Sequence, residues 1–243
     1  METVRFENGY GLTLAGDYWK AKSRKGIVMA HGFSQDRKYR GRFETLAEKF
    51  NEAGFNVLTF DFSGCGESER TAITAEKQVQ DLEAAIEYMK SRGAEKIGLF
   101  GHSLGGYIAL RNHNEVDALV LTAPVTYGID LPPNRIWELS INIFGKLPSW
   151  SYLKRSKKLM WIGADIVKEM RAVNQEKLLS ELKCSVLIIQ GDEDPVISME
   201  KSKDAVNILE SADLEVVEGL NHDYGEHIDV IGSSAVSFFE EKL

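Results

Sequence analysis

The sequence predicts an α/β fold in which a mostly parallel central sheet carries helices on both faces. Three observations carry this. Short apolar runs alternate with segments whose apolar residues recur every three or four positions, as strands joined by crossover helices do. The run 26–30 is unbroken, and 118–123 and 186–190 are nearly so, which is the composition of strands buried on both sides. A Gly-His-Ser-Leu-Gly turn, 101–105, stands between an apolar run and a helically spaced one, the setting in which such a sheet presents a side chain at its edge.

Taken in order, 4–6 and 12–19 alternate in polarity and are joined through Asn8-Gly9-Tyr10-Gly11, so they read as a hairpin at the sheet edge. The strand 26–30 ends at His31-Gly32-Phe33-Ser34. Phe43, Leu46, Ala47 and Phe50 give 39–53 a helical stripe, with Gly54 as its stop. Strand 55–60 leads into Asp61-Phe62-Ser63-Gly64-Cys65-Gly66-Glu67-Ser68. Val79, Leu82, Ile86 and Met89 make 75–92 a helix closed by Gly93. After the strand and helix around Ser103 comes strand 118–123, and then the rhythm breaks. From 125 to 183 no clear strand is visible, and three of the four tryptophans fall there. Alternation resumes with strand 186–190, helix 201–209, strand 214–217 and a closing helix through Ile228, Ile231, Ala235 and Phe238. The expected organisation is therefore a core made of 1–124 and 184–243 with an inserted cap, 125–183, lying over the strands' C-terminal ends, where ligands bind on such sheets.

Composition narrows the function. The 43% apolar and 27% charged content is that of a soluble globular chain, and a net charge of −8 repels a phosphate backbone, so no nucleic-acid partner is expected. The basic cluster Lys154-Arg155-Ser156-Lys157-Lys158 is short and isolated. The first eight residues lack a basic segment followed by an apolar one, so no secretory leader is expected. No apolar run reaches membrane-spanning length. Two cysteines, Cys65 and Cys184, and no Asn-x-Ser/Thr sequon suit a reducing cytoplasm. With no Cys-x-x-Cys or His-Glu-x-x-His and five scattered histidines, no metal site and no cofactor are expected. A monomer and a homodimer are equally compatible with the sequence.

Ser103 is the candidate nucleophile. A serine hydroxyl needs a base to take its proton and a carboxylate to hold that base. Asp192 and Asp194 follow the strand 186–190, and His222 follows the strand 214–217. That gives the chain order Ser, Asp, His. The chain resembles the α/β-hydrolase fold serine esterases over nearly its whole length apart from the insertion. His31-Gly32-Phe33 is similar to their oxyanion segment, 61–68 to their Asp-x-x-Gly-x-Gly-x-Ser loop, 101–105 to the nucleophile elbow, Gly191 to Val196 to the acid loop and Asn221-His222 to the histidine loop. Within that fold the layout is most similar to the cinnamoyl and feruloyl esterase group, with monoacylglycerol-lipase-like enzymes close behind.

The resemblance implies a cytoplasmic carboxylic ester hydrolase, with Ser103, His222 and Asp194 as its triad and the backbone N–H groups of Phe33 and Leu104 as its oxyanion hole. Asp192 is the rival for the acid. The tryptophans Trp137, Trp150 and Trp161 of the cap are expected to line an apolar pocket for a hydrophobic or aromatic acyl group. A thioesterase or monoacylglycerol-lipase-like acyl hydrolase is the alternative within the fold. A non-catalytic receptor or binding module is the alternative from another class. His102 is expected to pack, His31 to hold its loop by a hydrogen bond, His113 and His227 to be surface or capping residues, and 64–66 to be a structural turn rather than a nucleotide loop. Cys65 has no plausible base beside it.

Overall fold

The computed structural model describes residues 1–129, 146–148 and 160–243. Its strands are β1 (Glu2–Glu7), β2 (Thr13–Trp19), β3 (Lys25–Ala30), β4 (Asn56–Phe60), β5 (Ala72–Ile73), β6 (Lys96–His102) and β7 (Ala118–Thr122), followed by β8 (Lys146–Pro148), β9 (Trp161–Gly163), β10 (Ser185–Gly191) and β11 (Ala212–Val217). The helices are α1 (Arg42–Glu52), α2 (Ala75–Ser91), α3 (Leu104–Arg111), α4 (Ala164–Ala172), α5 (Gln175–Leu179), α6 (Met199–Ile208) and α7 (Ile228–Lys242).

Eight strands form the main sheet in the order β1-β2-β4-β3-β6-β7-β10-β11. The hairpin β1–β2 is antiparallel, as is β2 against β4, and every other pair is parallel. The chain leaves β3 toward one side to reach β4 and crosses back to reach β6. Strands β3 and β6 are neighbours whose outgoing loops diverge, and a crevice opens at their carboxyl ends. His31-Gly32-Phe33 and Ser103 both leave the sheet at that place.

The pleat sends alternate side chains to opposite faces, so each strand feeds two cores. On one face Leu58, Leu99, Leu121 and Ile188 pack with Leu82 and Ile86 of α2 and Ile108 of α3. On the other, Phe100, Val120 and Ile189 pack with Phe43 and Phe50 of α1 and Phe239 of α7. Truncating one of these buried phenylalanines to alanine costs about 3–5 kcal/mol. The helix starts follow local chemistry: the Thr74 side chain accepts the Lys77 N–H and caps α2.

Two expectations need correction. The segment read as lacking clear strands contains β8 and β9, which form a three-stranded sheet with β5 from the loop after Ser68. Strands of two or three residues are too short to show a period. The same segment holds α4, which buries Ile166, Val167 and Met170. The helix expected from Tyr39 begins only at Arg42, because Tyr39, Arg40 and Gly41 all take positive φ and turn the chain sharply before it.

Candidate active site

Ser103 occupies the turn from β6 to α3 with φ 54° and ψ −116°, a conformation rarely taken by a residue with a side chain. The turn holds because the Ser103 N–H donates to the Thr122 carbonyl at 3.0 Å while its own carbonyl accepts from Gly106 N at 3.0 Å. Glycine is required at 105, where a Cβ would collide with the carbonyl oxygens of Ala30 and His31. That close approach brings the start of α3 against the end of β3.

His222 reaches Ser103 from the loop after β11. Its Nε2 lies 3.1 Å from Ser103 Oγ, and its Nδ1 lies 2.8 Å from Asp194 Oδ2. A carboxylate can only accept, so Nδ1 carries the proton and Nε2 presents a lone pair to the serine hydroxyl. The Asp194 side chain is 1% exposed. Its other oxygen accepts the N–H groups of Val196 at 2.7 Å and Ile197 at 2.9 Å. Burial pushes its pKa up, but the hydrogen bond and charge of His222 and those two amides outweigh it, and the carboxyl sits below its usual range. Asp192 is exposed and spends its carboxylate on the Gly219 N–H. Of the two candidate acids, Asp194 is therefore the one that meets His222.

The histidine expected to pack does so. His102 is fully buried, lies 5.3 Å from Tyr39, 4.7 Å from Tyr224 and 5.0 Å from His222 between ring centroids, and faces Thr122 Oγ1 through Nδ1 at 3.1 Å. Burial, and then the nearby His222 charge, hold its pKa well below the ordinary imidazole value, so it stays neutral. His31 accepts the Phe62 N–H through Nε2 at 3.2 Å and contacts the Gly32 carbonyl through Nδ1 at 2.9 Å, tying two loops together. His113 is half-buried in a short 3₁₀ turn, and His227 precedes α7 without capping it through its side chain. Cys65 is buried, and burial raises its thiol well above the usual range, so it is no nucleophile.

A cavity of about 520 Å³ opens over Ser103 and His222. Phe33 and Leu104 line it. Leu104 opens α3, where an amide has no intrahelical partner, and the Phe33 N–H meets no acceptor among the described residues. Val125, Ile129 and Met170 line the cavity with Pro195 and Val196, while Gln35, Asn221 and Asp223 supply its polar atoms. Sequence reasoning did not single out Val125, Ile129, Met170 or Gln35, and named Asn221 only as the neighbour of His222 in the histidine loop. Only Gln35 left a signal, its place three residues after Gly32, whose N–H its side chain accepts at 2.9 Å. Trp161 lies on β9, is 37% exposed and is not among the lining residues, and Trp137 and Trp150 lie outside the described residues. Among the described residues no cluster of histidine, cysteine or carboxylates is arranged to hold a metal, and no helix is long and apolar enough to cross a membrane.

The family described as serine aminopeptidase, S33, matches residues 21–181. The human protein ABHD12B is 27% identical over 211 residues, which make up 80% of this chain and 53% of that protein, so the chain spans about half of its length. Est1E from Butyrivibrio proteoclasticus, solved with ferulic acid, superposes with a TM-score of 0.80 at 21% identity over 98% of each chain. The monoacylglycerol lipase of Paleococcus ferrophilus superposes with a TM-score of 0.75 at 21% identity over 100% of each. At these identities the structural likeness is one of fold, the α/β-hydrolase fold.

Proposed function

The chain belongs to the serine aminopeptidase S33 family of hydrolases, and we propose that it is a serine esterase whose nucleophile is Ser103. The single observation that carries this reading is the continuous hydrogen-bond chain from Asp194 through His222 to Ser103 Oγ, with its last member held in a strained turn at the floor of a cavity.

The chemistry follows from the atoms. Ser103 Oγ gives its proton to His222 Nε2 as it bonds to the ester carbonyl carbon, and Asp194 stabilises the imidazolium that results. The carbonyl oxygen, now an anion, is taken by the N–H groups of Phe33 and Leu104, and each such donor contributes about 3 kcal/mol to the transition state. Collapse expels the alkoxide, which takes the proton back from Nε2 and leaves an acyl-enzyme. Water then repeats the cycle with His222 as base. The apolar wall of Val125, Ile129 and Met170 suits a hydrophobic or aromatic acyl group. All three of these residues belong to the described part of 125–183, the segment that would serve as the cap.

The test is kcat/KM across acetyl, butyryl, octanoyl and feruloyl esters, with an aminoacyl p-nitroanilide alongside. The expected result is a preference for the larger apolar acyl groups by about tenfold or more, with the anilide turned over far more slowly. A flat profile contradicts the acyl preference. Turnover of the anilide alone contradicts the esterase reading.

A further inference from the structure

The Asp-x-x-Gly-x-Gly-x-Ser loop does no chemistry in the mechanism above, yet it holds the densest buried charge among the described residues. Arg37 is 4% exposed and Asp61 0%. The Arg37 guanidinium donates through Nε to Asp17 at 2.7 Å, through Nη1 to Asp61 at 2.5 Å and through Nη2 to Glu67 at 2.9 Å. The Arg37 backbone N–H donates to the other Asp61 oxygen at 2.6 Å. Asp61 also accepts the Glu67 N–H at 2.8 Å. The motif exists to make this possible: Gly66 has φ 46°, and a Cβ there would overlap the Asp61 carboxylate. Ser68 Oγ donates to the Asp61 carbonyl at 2.5 Å and accepts the Ala15 N–H at 2.9 Å, tying the loop to β2.

Taking three ionised groups out of water costs several kcal/mol each, and an apolar cluster of the same volume holds a fold as well or better. Stability alone is a poor reason to keep such a cluster. Its position gives a better one. Residues 31–37, which carry Phe33, are bound at both ends to the 61–67 loop: His31 takes the Phe62 N–H at one end, and Arg37 is gripped by Asp61 at the other. Between them Gln35 closes the turn, with its side chain on Gly32 N and its N–H on the Gly32 carbonyl at 3.2 Å.

We infer that Arg37 is a positioning residue: clamped by Asp61 and Asp17, it fixes residues 31–37 so that the Phe33 N–H is held ready for the oxyanion. This rests on the reading of Ser103 as nucleophile. Burial alone would lower the Arg37 pKa, but the Asp61 charge and the Asp17 and Glu67 hydrogen bonds raise it, so the guanidinium stays charged.

The test uses Arg37→Lys, Arg37→Ala and Asp17→Asn in the full chain, with the folded fraction counted by fluorophosphonate titration of Ser103. Arg37→Lys is expected to lower kcat by about tenfold or more with KM within about twofold, and to weaken an aryl trifluoromethyl ketone, which forms an oxyanion on the serine, by the same factor. Millimolar guanidinium is expected to restore part of kcat in Arg37→Ala. Asp17→Asn, which spares the Asp61 contacts, keeps the test available if both Arg37 variants fail to fold, and is expected to lower kcat by about threefold with KM unchanged. Titrated variants with wild-type kcat and ketone affinity, whatever their melting temperature, overturn the inference. A wild-type chain that neither labels at Ser103 nor turns over esters is a different result, which overturns the nucleophile reading and this inference with it.

Discussion

Two arms meet at Ser103, and they are built from opposite materials. The arm on the β10–β11 side brings Asp194 and His222 on loops that also carry the exposed Asp192, Pro195, Val196 and Asn221, and the buried carboxylate of Asp194 is held by backbone N–H groups and by His222 rather than by a cation. The arm on the β3–β4 side brings Phe33 on a loop cemented by buried ions that never touch the reacting atoms. Charge on the first arm is spent on chemistry, and charge on the second on geometry. Losing a charged group on the first therefore removes rate and spares the fold. On the second it strands a partner out of water and endangers both.

The largest expected contrast is between Asp194→Asn and its counterpart. Asp194→Asn keeps the shape but no longer holds the proton on Nδ1 and the lone pair on Nε2, so kcat is expected to fall by roughly 10³–10⁴ with the melting temperature nearly unchanged. Steady-state kinetics and a thermal melt on one preparation check both halves. Asp61→Asn, on the other arm, removes one of the two buried carboxylates that face the Arg37 guanidinium and leaves it Asp17 and the half-exposed Glu67; it is expected to cost about 3 kcal/mol of stability in urea unfolding. If Asp61→Asn is as stable as wild type, the division between the arms fails.

A smaller effect comes from Asp81, whose carboxylate accepts the Ser63 N–H at 2.7 Å and the Asn8 amide at 2.5 Å behind the 61–68 loop. Burial, only partly opposed by those bonds, pushes its pKa up to about 6. In the unfolded chain the group titrates near the ordinary value of about 4, so between about pH 4 and pH 6 the folded state holds the extra proton. Stability is then greater at the acid end and is lost as pH rises through this window, by on the order of 2–3 kcal/mol from this group. Urea midpoints across that range are expected to lose this slope in Asp81→Asn. The smallest effect is that of Asp192→Asn, which touches only the Gly219 N–H and is expected to change kcat/KM by less than about twofold.

The two arms also differ in how well the sequence announces them. Ser103, Asp194 and His222 are legible because each directly follows an apolar strand, and strand ends are where this architecture puts its chemistry. Even the choice between Asp192 and Asp194 has a local physical basis, the backward turn of Val196 and Ile197 onto the Asp194 carboxylate. Arg37 is illegible. In Ser34-Gln35-Asp36-Arg37 it reads as a solvated loop residue, and what buries it lies 20 and 24 positions away, at Asp17 and Asp61. The apolar wall is illegible for a related reason. Met170 and Ile129 look like any core residue until the chain's path places them over Ser103. Strands β5, β8 and β9 are too short for periodicity to reveal, whereas the long apolar runs of the main sheet fixed its order of strands and helices closely.

The most direct measurement is fluorophosphonate labelling followed by peptide mapping, on wild type and on Ser103→Ala. One adduct per chain is expected, on Ser103, together with loss of both labelling and ester turnover in Ser103→Ala. An adduct that persists in Ser103→Ala, or ester turnover that survives it, rules out Ser103 as the nucleophile.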